Sequence, residues 1–207
     1  MKYSGIVVIG PVGSGKSSLA KKIASLSSFY HAGVGDICRE KLKKCEKFRD
    51  EYSEGLSKRI LIPDNVTMKI TKDDILTKVR DAKYGGLALE GFPRNENQAS
   101  ELTNLLKHIS FGEEELGCSN VAIIEVALNE KECFDRIMND RSRKRRNDLS
   151  VEATTKALTF YKEEIKGIRE NLRKIGYKIF QISSEGKADE TFLQAKKVLG
   201  FKTDVAA

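Results

Sequence analysis

Eight residues near the amino terminus, Gly10-Pro11-Val12-Gly13-Ser14-Gly15-Lys16-Ser17, constrain this chain more than any other stretch. They satisfy G-x-x-x-x-G-K-[ST] at each fixed position, directly after the apolar run Ile6–Ile9. A helical pattern follows over Ser17–Ser27, with Leu19, Ile23 and Leu26 at helical spacing. A strand, a glycine-rich turn and a helix in that order gather backbone N–H groups and a helix N-terminus around one point, which suits the phosphates of a nucleoside triphosphate. Gly10, Gly13 and Gly15 let the backbone curl without Cβ clashes, and Ser14 lies within the curl. Lys16 supplies a mobile positive charge, and the hydroxyl of Ser17 or Ser18 can hold magnesium. A dinucleotide fingerprint, G-x-G-x-x-G, lacks the lysine and fits less well.

The segments around the loop indicate the fold class. Ile6–Ile9, Leu87–Glu90, Val121–Val126 and Lys178–Ile182 read as buried strands, with a weaker candidate near Phe29–His31. Helical patterns lie between them. The longest, 151–175, repeats Leu158, Tyr161, Ile165, Ile168, Leu172 and Ile175 in steps of three and four, and a last helix over about 189–199 stops at Gly200. Strands alternating with helices predict an α/β fold of three layers, with a parallel five-stranded sheet between helices and ligands at the carboxyl ends of the strands. Two stretches break the alternation, the charged helical segment 37–62 and the basic loop 140–150, and both read as insertions over the binding edge.

Of 207 residues, 40% are hydrophobic, 32% charged and only three proline, so one ordered globular domain spanning 1–207 is expected. The net charge of +7 could indicate nucleic acid, an anionic surface or phosphorylated small molecules. Between Arg136 and Arg146 the chain carries +5 of it, so the positive field is local. No aromatic residue is interleaved in Arg141-Ser142-Arg143-Lys144-Arg145-Arg146, which weakens a single-stranded nucleic-acid role; a solvated loop and a loop that brings positive charge onto a triphosphate both stay open. The four cysteines show no C-x-x-C spacing. Cys38 and Cys45, on a shared helix, would stand about 10 Å apart, beyond disulfide reach. Free thiols, a cytoplasmic location and no membrane span are expected.

Three further motifs carry a family resemblance. Gly35-Asp36-Ile37-Cys38-Arg39 resembles the G-D-x-x-R of adenylate kinases and related nucleoside monophosphate kinases. Glu90-Gly91-Phe92-Pro93-Arg94, with Gln98 four residues on, resembles their D-G-F-P-R-x-x-x-Q, and Leu61-Ile62-Pro63-Asp64 sits where they have L-V-P-D. The residues make chemical sense by themselves: Arg39 and Arg94 are planar charged forks suited to an α-phosphate, and Gln98 can pair with the edge of adenine. The resemblance implies a P-loop fold with a monophosphate-binding insertion at 33–63 and a short, zinc-free lid at 136–150. It implies that AMP is held by Val34, Arg39, Ile60, Leu61, Ile62, Gly91, Phe92, Arg94, Gln98 and Arg146. ATP would lie on Gly10, Gly13, Ser14, Gly15, Lys16, Ser17 and Ser18, with Arg136 and Gly186 also contributing. Lys16, Arg94, Arg136 and Arg146 would stabilise the transferring group. Ser17 and Glu90 would hold magnesium, in part through water. The implied reaction is ATP + AMP = 2 ADP, carried out by a monomer on small nucleotides.

Departures from the family pattern leave alternatives open. Ser17 replaces a glycine, Val34 a threonine that touches the acceptor base, and Glu90 an aspartate. Asp140 and Ala157 fall where arginines are expected, and Lys156 points about 100° round the helix from Ala157. These two losses motivate a nucleotide-binding relative with weak activity. Asn95, which often follows G-F-P-R in UMP/CMP kinases, motivates a pyrimidine acceptor, whereas Gln98 opposes it.

Overall fold

The computed structural model describes residues 1–58, 60–80, 83–139 and 150–201. The amino-terminal half runs β1 (Gly5–Ile9), α1 (Lys16–Ser27), β2 (Tyr30–Gly33), α2 (Val34–Lys44), α3 (Glu46–Ser57), α4 (Asp64–Arg80) and β3 (Leu87–Glu90). Two short helices follow, α5 (Glu96–Ser100) and α6 (Leu102–Leu106), then a small hairpin of β4 (Ser110–Phe111) and β5 (Glu114–Glu115). The remainder is β6 (Val121–Ala127), α7 (Glu130–Asn139), α8 (Val151–Ile175), β7 (Lys178–Ser183) and α9 (Ala188–Leu199).

Five strands pair in parallel in the order β2-β3-β1-β6-β7. Successive side chains of a strand point to opposite faces, and two separate cores result. On one face Val7, Ile9, Leu87, Leu89, Val121 and Ile123 pack with Ile75 of α4, Leu102 and Leu105 of α6, and Ile168 and Leu172 of α8. On the other, Ile6, Val8, Ala88, Ala122 and Ile124 pack with Leu19 and Ile23 of α1 and Phe192 and Ala195 of α9. This is the three-layer α/β/α architecture expected from the alternation. The weaker strand lies one residue later than expected, at Tyr30–Gly33.

The charged segment 37–62 is not one helix. It breaks at Cys45, whose extended backbone (φ −128°) ends α2 and starts α3. Phe48, on α3 just after the break, packs in the core and is 6% exposed. The helix α4 carries no clear apolar spacing because its buried face is Thr67, Thr71 and Ile75, two of them hydroxyl residues. All four cysteines are free thiols.

Chain crossings leave β1 in one direction and β3 in the other, so the crevice at a reversal of strand order lies between their carboxyl ends. Two acids flank β1 there. Glu90 of β3 pairs in register with Val8, and Glu125 of β6 with Ile9. Glu125 is 3% exposed and is neutralised from α8: Arg169 Nε donates to its Oε2 at 2.7 Å and the guanidinium binds its other oxygen. Tyr161 Oη donates to Glu125 Oε1 at 3.4 Å. Among the described residues, no helix is long and apolar enough to cross a membrane.

Candidate nucleotide site

The glycine-rich loop joins β1 to α1 at that crevice. Gly13 lies in the left-handed region (φ +86°) and so close to α7 that a Cβ would stand 2.4 Å from the Cys133 carbonyl oxygen, so glycine is required there twice over. The first turn of α1 contains no acidic residue, and no side chain caps it at Gly15. Its positive dipole end therefore suits an anion. Lys16 is the first residue of α1, and its Nζ donates to the Pro11 carbonyl at 3.1 Å, reaching back over the loop. Ser14 is fully buried. Beneath the loop, burial pushes the Cys133 thiol up to about 11 although Lys16 and Arg136 pull the other way. It stays a neutral packing residue at physiological pH.

Arg136, expected beside the transferring group, is held against the back of the loop. Its Nη1 donates to Ser184 Oγ at 3.2 Å, and its Nη2 to the Ser184 carbonyl at 2.6 Å and to Glu132 Oε1. Gly186 lies in the same connection, where the Glu190 carboxylate occupies the space a Cβ would need.

The residues expected to hold the acceptor gather at the end of β3. Gly91 (φ +81°) turns the chain out of the strand into a cis Phe92–Pro93 peptide, and Arg94 Nε donates back to the Gly91 carbonyl at 2.8 Å. A Cβ on Gly91 would stand 3.2 Å from Arg94 Nη2 and 3.9 Å from the amide nitrogen of Gly35, so this turn lies against the start of α2. Arg39, one turn further along α2, packs its guanidinium over Gly35 and pairs with Asp36. Burial works to raise the Asp36 carboxyl, but Arg39 and Lys21 outweigh it and hold it below the ordinary aspartate value. Burial raises the Cys38 thiol although the positive charges of Arg94 and Arg39 pull it down. The fold thus brings together Arg39 and Arg94, which are distant in sequence.

Other expected acceptor contacts are more constrained. Val34 and Phe92 are buried in the core. Ile60 is exposed, but its N–H donates to the Gly55 carbonyl at 2.8 Å. Leu61 is half-buried; Ile62 is buried, and its carbonyl accepts from Thr67 Oγ1 at 3.3 Å. Gln98 is 2% exposed, its Oε1 accepting from the Arg94 amide and its Nε2 donating to Asp64 Oδ1, 2.8 and 2.7 Å away. That leaves the second lone pair and the second hydrogen of the amide for any further partner.

Glu90 closes the crevice. It is buried, and its Oε1 lies 2.9 Å from where a Gly33 Cβ would be, so the glycine leaves room beside the carboxylate. Ser17 stands in the first turn of α1. A hydroxyl, one carboxylate and phosphate oxygens are the donor set that suits magnesium. Arg146, Asp140 and the basic run 141–146 lie outside the described residues.

The adenylate kinase family model matches residues 8–168, from within β1 through most of α8, and so takes in both the glycine-rich loop and the Gly91–Arg94 turn. The chain belongs to the adenylate kinase family. An adenylate kinase of Caldanaerobacter subterraneus is 30% identical over an alignment of 221 positions that covers 94% of this chain and 95% of that protein. One of Azobacteroides pseudotrichonymphae is 29% identical over 187 positions, covering 90% and 92%. A third, of Thermoanaerobacter pseudethanolicus, is 28% identical over 218 positions, covering 94% and 97%.

One residue of this adenylate kinase family member was named in a motif without a role. Asp64 accepts from Asn97 and Gln98, each at 2.7 Å, and from Asn95 at 3.2 Å. Asn95 in turn caps α5 by accepting from the Gln98 amide. Asp64, the first residue of α4, therefore ties that helix to α5, which carries Gln98. The motif spacing, four positions from Arg94 to Gln98, was the only sequence signal for this cluster. Burial works to raise the Asp64 carboxyl, but the three amides hold it below its ordinary value. A folded value below the unfolded one means that the stabilisation is complete above the unfolded pKa of about 3.8 and is lost as pH falls through the lower folded value. Asp64→Ala is accordingly expected to lower the melting temperature at pH 7, with the gap from the native chain closing only below that range. In steady-state kinetics it should raise KM for AMP severalfold and leave KM for ATP unchanged; an equal rise in both would rule out the tie to the acceptor side.

Proposed function

We propose that this protein transfers the γ-phosphoryl group of ATP to AMP, giving two ADP. The observation that carries the reading is the adjacency of two phosphate-binding elements. The Gly10–Ser17 loop leaves β1, and the Gly91–Arg94 turn leaves β3, its hydrogen-bonded neighbour. A triphosphate on the first and an α-phosphate on the second would meet over one strand spacing.

Phosphoryl transfer requires alignment and charge more than covalent chemistry from the protein. In this reading the loop N–H groups and Lys16 hold the β- and γ-phosphates, with Gly10, Gly13, Ser14, Gly15, Ser17 and Ser18 forming the cradle. Arg39 and Arg94 fix the α-phosphate of AMP, and Gln98 with the backbone of Ile60–Ile62 receives its base. The attacking oxygen is already anionic, so no general base is needed. Ser17 and Glu90 would hold magnesium, which when bound neutralises charge on the phosphate oxygens. As the family resemblance implies, Arg146 and its neighbours in the lid segment would add positive charge to the triphosphate, whereas Arg136 stands on α7 behind the loop. Both elements lie on one chain, which supports a monomer as the active unit, and free thiols suit the cytoplasm.

The structure weighs against a pyrimidine acceptor through Asn95. Its side chain is spent on capping α5 and on Asp64, so it offers no separate signature of UMP or CMP. ATP with AMP, UMP, CMP and dCMP in a coupled assay should show AMP as the preferred acceptor; faster turnover of a pyrimidine would overturn the assignment. Ala157 bears on the rate. It lies one turn before Tyr161 on the same face of α8, and an arginine there would extend from that face. Ala157→Arg is expected to raise kcat with AMP by roughly tenfold or more, below the 10³ to 10⁵ that such arginines can supply. An unchanged kcat would mean that other lid arginines already fill the role.

A further inference from the structure

A cradle of N–H groups works only if each peptide unit is turned the right way, and one residue outside the loop is placed to turn one of them. Ser184 follows β7 and is 3% exposed. Its Oγ donates to the Ser14 carbonyl at 2.8 Å, and its own amide is anchored to the Ala127 carbonyl at 2.9 Å. Arg136 donates to the same hydroxyl oxygen at 3.2 Å and to the Ser184 carbonyl at 2.6 Å. With a cation donating to its oxygen, the hydroxyl hydrogen is directed to the Ser14 carbonyl, and the bond is polarised.

The peptide unit between Ser14 and Gly15 is planar and trans, so its C=O and N–H point in opposite directions. Holding the Ser14 carbonyl down onto Ser184 therefore aims the Gly15 N–H up, into the concavity where phosphate would lie. We propose that Ser184 is a positioning residue for the phosphate loop, using the Arg136 guanidinium to orient its hydroxyl and the Ser14 carbonyl to set the Gly15 N–H. Arg136 then acts on the triphosphate through Ser184 and the loop backbone. Buried as it is, the Ser14 carbonyl has no solvent to replace a lost hydroxyl.

The proposal rests on the phosphate-site reading of the loop, and inorganic tripolyphosphate tests both, because it carries no base. Calorimetric titration of the full chain should show tripolyphosphate binding weakened roughly tenfold in Ser184→Ala, the size expected for one buried hydrogen bond. AMP affinity should stay within about twofold, since Arg39 and Arg94 lie on the other element. Ser184→Thr, which keeps the hydroxyl, should restore most of the loss. In kinetics KM for ATP should rise while KM for AMP does not. The Gly15 amide resonance should shift in Ser184→Ala with the change confined to the loop, which decides the matter if the threonine methyl is not accommodated. Equal tripolyphosphate binding by native chain and Ser184→Ala would overturn the role of Ser184 alone, as would an equal loss of AMP affinity. A native chain that fails to bind tripolyphosphate would overturn the phosphate site itself.

Discussion

Lys16→Ala is expected to reduce kcat for phosphoryl transfer by roughly 10²–10³-fold, the range for removing one preorganised electrostatic donor. The amine starts from the first residue of α1 and already bends over the loop to the Pro11 carbonyl. It can thus follow negative charge as that charge moves onto the transferring group. What remains in the variant is the loop backbone and the amino end of α1, which in the proposed reading would hold a triphosphate in its ground state. ATP affinity should therefore fall less than the rate does. Lys16→Arg is not expected to rescue, because a planar fork cannot take the place of a compact ammonium in a loop so tightly closed. Rapid-quench measurement of the chemical step alongside ATP titration checks this, and a loss in affinity equal to the loss in rate would refute it.

The second large effect concerns stability. Arg169→Ala removes the cation that neutralises Glu125, a carboxylate only 3% exposed, and leaves it with Tyr161 as its remaining partner here. Breaking such a pair from one side costs about 3–5 kcal/mol, because a charge is left buried without compensation. For a chain of this size that lowers the melting temperature by roughly 6–20 °C. Removing both charges, with Glu125→Gln and Arg169→Met together, should recover much of the loss, since replacing a buried pair by neutral groups is often tolerated. Scanning calorimetry on the two variants distinguishes these cases; a double variant no more stable than Arg169→Ala would contradict the account. Because Glu125 pairs in register with Ile9, the residue before Gly10, the single variant is also expected to loosen the root of the phosphate loop.

Strands β1, β3 and β6 were legible because each is a short apolar run buried along nearly its whole length, whereas β7, also expected to be buried, lies at the sheet edge with only Ile182 buried. Helix α8 was legible because its apolar residues recur at helical spacing over 25 residues. Helix α4 was not, since threonines supply most of its buried face. The break at Cys45 is marked by no glycine or proline in the local sequence. In the site, Arg39 and Arg94 could be nominated because paired guanidiniums suit a phosphate whatever surrounds them. Gln98 was nominated for its amide, yet whether that amide is available depends on Asp64, 34 positions away.

The same division runs through the phosphate loop. Its glycines, its lysine and its hydroxyls are consecutive, and their conformational and charge requirements are local, so the sequence alone determined that a loop of this kind follows β1. A carbonyl's partner is chosen by packing and not by residue type, and this the tertiary structure decided. Ser14 and Ser184 stand 170 positions apart, and no spacing rule connects them. Only the parallel sheet, by setting the ends of β1 and β7 on the same edge, brings the hydroxyl under the loop.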